Sequence, residues 1–111
     1  MSTEQQWAPQ ACTLPTEQQP LREAEFDELF AASVHGVTRR TPAELRLDLD
    51  ATEQVAARTA GLVVRETGCC SFFTFRLTAT GGGLRLDITV PESQTGVLDA
   101  LQARATAKAT K

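Results

Sequence analysis

A glycine turn between two alternating segments is the feature that most constrains the fold. In "TFRLTATGGGLRLDITV", residues 74–90, apolar and polar side chains alternate on both sides of the glycines at residues 81–83. A two-residue period places the apolar side chains of a strand on one face, and glycine permits the positive φ angles of a tight turn. The segment therefore predicts an antiparallel β-hairpin whose apolar face needs a covering layer.

Helical periodicity marks three other segments. Apolar residues recur at helical spacing after Leu21, over residues 52–67, and after Pro91. Between the first two segments, "ELRLDL" alternates leucines with charged residues, which predicts a further strand. We therefore predict an α+β fold in the order helix, strand, helix, hairpin, helix, with a small three-stranded sheet and the helices packed on one face.

Glycines and a capping pattern predict the helix ends. We expect the first helix to stop at Gly36 and the second at Gly68, since glycine commonly follows the last helical turn. Asp50, followed three residues later by Glu53, predicts a capping box at the start of the second helix. The cysteine pair at residues 69–70 is then expected just beyond the last turn of that helix.

The chain of 111 residues has the size of one domain. Residues 1–20, rich in Gln, Thr and Pro, predict an extended N-terminal arm that carries Cys12. Residues 21–107 predict a single α+β domain, and residues 108–111 a frayed tail.

Composition excludes several function classes. The net charge of -3 provides no basic surface for nucleic acid or for an anionic membrane. No apolar run approaches the roughly 20 residues of a membrane span, and the first ten residues lack the pattern of a secretion signal. Three cysteines, two of them adjacent, make a poor disulfide framework. We therefore expect a cytoplasmic protein with free thiols.

The adjacent thiols of Cys69 and Cys70 suit a soft ion. Thiolates select soft ions over oxygen-loving ones; two sulfurs match linear Hg(II) or Cu(I), and three match As(III) or a tighter Hg(II) site. Cys12 could close such a site from the N-terminal arm. Zinc fits less well because it requires four donors, and His35, in "SVHGV", is expected at a helix C-terminus rather than as the fourth ligand.

Two other interpretations stay open. The cysteines could be small core residues of a structural or interaction domain. A thiol-dependent enzyme, such as an organomercurial-cleaving or thiol-redox enzyme, would need a proton donor, for which Glu66 is nearest in sequence and Asp87 is the nearest strand residue. Asp48, Asp50 and Asp87 are expected to be solvated, and no pair of them has a catalytic spacing. This scarcity of catalytic groups favours a binding protein over an enzyme, and no organic cofactor is indicated.

Four segments, "ACTLP", "LREAEFDELF", "RETGCCSFFTFRL" and "LDITVP", together resemble a thiol module associated with actinobacterial mercury and heavy-metal resistance proteins. That module occurs alone or fused to MerR-type regulators. The resemblance runs from Cys12 to about Ala105 and implies Cys12, Cys69 and Cys70 as metal or metalloid thiolates. The module often has an acidic residue before its cysteine pair, whereas this chain has Gly68 there.

The residues and the resemblance lead to one expectation. The chain binds a soft metal or metalloid ion, Hg(II) in preference to As(III) or Cu(I), through Cys12, Cys69 and Cys70. Its role would be metal resistance, buffering or sensing. The expected partner is the ion, and a homodimer or a protein that receives the metal is compatible with this role. Neither nucleic acid nor membrane is expected to bind.

Overall fold

A computed structural model describes the backbone of residues 19–69 and 72–109, and the side chains of residues 24–68 and 72–109. The elements, in chain order, are α1 (Gln19–Ser33), β1 (Val34–Thr41), β2 (Glu44–Leu49), α2 (Glu53–Cys69), β3 (Thr74–Thr80), β4 (Gly83–Thr89), a short 3-10 turn (Glu92–Gln94) and α3 (Thr95–Lys108). The predicted α+β class is therefore confirmed. None of the described helices combines the length and the apolar character needed to cross a lipid bilayer.

The described sheet has four strands in the order β1–β2–β4–β3, and every neighbouring pair is antiparallel. The prediction of three strands is wrong, because β1 lies where we expected the end of the first helix. Gly36 sits inside this strand instead of stopping a helix. Two register shifts in β1, between Val34 and Gly36 and between Arg39 and Thr41, interrupt the two-residue period that identifies a strand in sequence.

The helices cover the apolar face of the sheet, where leucine and isoleucine side chains of the two central strands are buried. These side chains are Leu45, Leu47, Leu49, Leu84, Leu86 and Ile88. Phenylalanines and leucines from α1, α2 and α3 complete the same core cluster. The opposite face carries arginines, aspartates and threonines, which are mostly half-buried or exposed. We call this opposite face, whose central row is Arg46, Asp87 and Arg76, the open face.

The two halves of the described chain repeat one another. Each half runs helix, strand, strand, and "LRLDL" of β2 recurs as "LRLDI" of β4. Because β2 and β4 are antiparallel, Arg46 lies opposite Asp87 and Asp48 lies opposite Arg85. The repeat therefore places an arginine opposite an aspartate at two nearby positions of the open face.

The ends of α2 differ from the prediction. Thr52, not Asp50, caps its start, since Thr52 Oγ1 accepts a hydrogen bond from the Val55 backbone N–H at 3.1 Å. The helix also continues through Gly68, so that Cys69 is its last residue rather than the first residue beyond it. The thiol pair thus begins on the helix itself.

The predicted hairpin is confirmed. β3 pairs with β4 along its whole length without a register shift. Gly81 and Gly82 form a two-residue turn with φ angles of 58° and 79°, which side chains other than glycine rarely adopt.

Candidate functional site

The predicted thiolate ligands fall largely outside the described residues. Cys12 and Cys70 lie outside them, and Cys69 is described only in its backbone, as the last residue of α2. Within the described side chains, no three His, Cys, Asp or Glu groups converge to hold a metal ion. The three-thiolate site therefore stays a prediction, and its described neighbours define its surroundings.

Glu66 is the most informative of these neighbours. It lies in the last turn of α2, three residues before Cys69, and is only 1% exposed. Burial of an acidic side chain is rare because desolvation of a carboxylate is costly. Glu66 continues a buried helical stripe formed by Thr59, Leu62 and Val63. That spacing would have predicted its burial from sequence, although the residue type argued against it.

Three phenylalanines follow the thiol pair and form an aromatic cluster. The ring centroids of Phe72 and Phe73 lie 4.7 Å apart, and those of Phe73 and Phe75 lie 5.2 Å apart. Phe73 is buried, and the other two pack against the core while half-buried. Their predicted role in core packing is confirmed. A buried acid thus lies in the last turn of α2, and an aromatic cluster lies at and just before the start of β3.

His35 lies at a different place in the fold. It belongs to β1, and its Nδ1 is 3.1 Å from Asp50 Oδ1, with both side chains about half exposed. This pair borders a cleft of about 370 Å³ that is also lined by Thr80, the last residue of β3. Thr74, the first residue of β3, lies roughly 20 Å along the strand from Thr80. The prediction that His35 lies at a helix C-terminus was wrong, because His35 belongs to β1 and contacts Asp50.

Asp87 is the second buried acid and is 2% exposed. Its Oδ1 accepts a hydrogen bond from Arg46 Nε at 2.8 Å, and its Oδ2 lies 3.6 Å from Arg85 Nε. The hydrogen bond to Asp87 raises the pKa of Arg46 above its ordinary value. The expectation of a solvated Asp87 was wrong, because β4 is a central strand and arginine side chains lie against the carboxylate. Asp87 is therefore held by arginines on the open face, the side of the sheet opposite the helices.

Comparison of the chain with protein-family models, with curated proteins and with solved structures gives no match. The resemblance to the resistance-associated thiol module therefore rests on the four quoted sequence segments. The features of the chain that bear on function are the chemistry of the cysteine pair and the buried Glu66, three residues before Cys69.

Proposed function

We propose that the chain binds a soft metal or metalloid ion, Hg(II) in preference to As(III) or Cu(I), through Cys69 and Cys70, with Cys12 as a third thiolate. The observation that carries this proposal is the buried Glu66 one helical turn before the thiol pair. Burial of an acid is costly, and Glu66 lies in the same last turn of α2 as Cys69, the first cysteine of the pair. When ionised, its carboxylate favours the approach of a cation to this end of the helix.

The electrostatics favour ion binding over redox chemistry. The C-terminus of α2 carries partial negative charge, and Glu66 adds to it when ionised. This field opposes formation of reactive thiolates while no cation is present. A thiophilic ion displaces the thiol protons and reverses the balance, because its own charge then dominates the site. The thiols are therefore expected to stay protonated and unreactive until such an ion binds.

The proposed setting is the cytoplasm, where thiols stay reduced. There the protein would serve metal resistance, buffering or sensing, and it would pass the ion to a partner protein or act as a homodimer. No organic cofactor takes part in this proposal.

A titration of the reduced protein with Hg(II), As(III), Cu(I) and Zn(II) tests the ligand number. We expect one Hg(II) per chain, and Cys12→Ser should weaken its binding by roughly tenfold or more, since the third sulfur is lost. Thiolate-to-metal absorption and intact mass are read together, with Thr13→Ser as the matched control. Equal affinity of Cys12→Ser and the native chain would reduce the site to two thiolates.

The burial of Glu66 also favours a second candidate, an organomercurial-cleaving enzyme. In such a reaction the carbon–mercury bond breaks, its electron pair takes the proton of the Glu66 carboxylic acid, and Hg(II) remains on the cysteine thiolates. Glutamine has the same shape as glutamic acid but cannot donate that proton.

Glu66→Gln separates this enzyme from a binding protein. If the native chain cleaves phenylmercury, the variant should lose benzene release, measured by gas chromatography, by roughly a hundredfold or more. Its binding of inorganic Hg(II) should stay close to native. Absence of benzene from the native chain would leave the binding function alone, and absence of both activities would favour a structural domain with packing cysteines.

A further inference from the structure

The outer edge of β3 carries free backbone hydrogen-bonding groups. β3 is the terminal strand of the described sheet, next to β4 alone. The two-residue turn at Gly81–Gly82 makes Thr80 and Gly83 the closing hydrogen-bonded pair of the hairpin. Since hydrogen-bonded and non-hydrogen-bonded positions alternate along an antiparallel pair, the N–H and C=O groups of residues 75, 77 and 79 point away from β4.

The two edge strands of the sheet differ in the features that prevent pairing with another chain. β1, at the other edge, has two register shifts, two adjacent arginines at residues 39–40, and Pro42 directly after it. Bulges, charges and proline are the usual features that prevent an edge strand from pairing with another chain. β3 has an unbroken register and a single charged residue, Arg76, within a sequence rich in threonine and large apolar residues. β3 is therefore an edge suited to pairing.

We infer that β3 pairs with β3 of a second copy of this chain, in an antiparallel two-fold arrangement centred on Leu77. Leu77 then faces Leu77 of the second copy, and Phe75 faces Ala79, so a large side chain meets a small one on the apolar face. Arg76 lies opposite Thr78. All seven residues pair, and no like charges meet.

A shifted register is less favourable. Centring the pair on Arg76 would set two arginines directly opposite each other, which destabilises a cross-strand pair. Both registers join outward-pointing backbone groups only to outward-pointing ones, so the side chains decide between them. The half-buried Phe75 and Leu77 would lose further exposed area. A single strand pair buries a small area, so the dimer is expected to depend on concentration.

The dimer is independent of the proposed thiolate site. In the antiparallel arrangement the start of β3 in one copy lies beside the end of β3 in the other. The two copies of Thr74, the first residue of β3, are then roughly 20 Å apart. Each copy would therefore hold its own ion, and failure of metal binding would leave the dimer untouched.

Ala79→Pro tests the inference. The proline removes an N–H that points outward, so the hydrogen bonds to β4 remain and the hairpin is preserved. We expect a dissociation constant at least roughly tenfold higher than that of the native chain, measured by sedimentation equilibrium over a concentration series. Val64→Lys is the control, because Val64, 68% exposed on α2, is the large apolar side chain most open to solvent among the described residues. This control should dimerise like the native chain.

Two further measurements keep the inference testable if Ala79→Pro does not fold. Thr78→Glu places a carboxylate opposite Arg76 of the second copy and should tighten the dimer severalfold at low salt. In native protein, amide exchange at Leu77 and Ala79 should slow as concentration rises, while exchange at Arg76 and Thr78 should be protected throughout. The inference would be overturned if the chain were a monomer at all concentrations, or if Val64→Lys disrupted the dimer. It would also be overturned if the amide exchange of Leu77 did not change with protein concentration.

Discussion

Replacing Cys69 and Cys70 together by serine is expected to abolish tight Hg(II) binding while the domain stays folded. The double variant retains Cys12 alone, and one thiolate cannot complete the linear two-sulfur coordination that Hg(II) prefers. We therefore expect affinity to fall by several orders of magnitude, to the level of a simple monothiol. Isothermal competition against glutathione, with circular dichroism as a check of folding, measures both quantities.

Thr67→Ser is the matched control for this double variant. It lies on an exposed position of the same helix end, where its hydroxyl donates to the Val64 carbonyl oxygen at 2.9 Å, a hydrogen bond that serine can also make. Native binding is therefore expected for this control. If the double variant still bound Hg(II) as the native chain does, the thiol pair would not be the site, and the proposal would fail.

Asp87→Ala is expected to lower the free energy of unfolding by about 2–3 kcal/mol. The carboxylate is 2% exposed and is the shared partner of two arginines on the open face. Removing it leaves those cations side by side without the group that balances them. Urea denaturation followed by circular dichroism measures the loss.

The internal repeat supplies a matched control in Asp48→Ala, because Asp48 occupies in "LRLDL" the position that Asp87 occupies in "LRLDI". Asp48 makes no ion pair with a described residue, and its Oδ2 would lie 2.7 Å from a Cβ added at Gly36. It thus leans over the backbone of β1, away from Arg85. We expect a loss below about 1 kcal/mol. Equal losses for the two variants would contradict a stabilising role for the arginine partners and the burial that distinguish Asp87 from Asp48.

The regular parts of the fold were predictable from the sequence. The alternation around the glycine turn identified β3 and β4, and helical spacing identified the helix over residues 52–67, close to the observed α2. β1 was missed because its register shifts break the alternation and because Arg39 occupies an inward position. There Arg39 hydrogen-bonds Gln102 of α3 at 2.7 Å, an interaction that no local pattern reveals.

The burial of Asp87 and of Glu66 was not predicted, because both side chains are acidic. The near-identity of "LRLDL" and "LRLDI" indicates the repeat, but the pairing of their arginines and aspartates requires that β2 and β4 be neighbours. Asp87 is buried for that reason, and local alternation predicts only that it lies on the polar face. Glu66 lies at a buried helical position, yet its charge predicts exposure. In both cases the tertiary arrangement decides.

The candidate site was predictable only as a set of ligands. The adjacency of two thiols is visible in the sequence, whereas the burial of Glu66 agrees with its helical spacing but not with its charge. The structure also pairs His35 with Asp50 and Asp87 with arginines of the open face, which sequence distance alone could not do. What the fold adds is therefore the electrostatic setting of the proposed site.

Competition between the reduced native protein and glutathione for Hg(II) tests the central claim most directly. We expect the protein to hold one Hg(II) per chain in the presence of excess glutathione. After gel filtration, the protein fraction should show the ultraviolet absorption of mercury–thiolate bonds. Transfer of all the mercury to glutathione would contradict the proposed site and would leave the cysteines as packing residues.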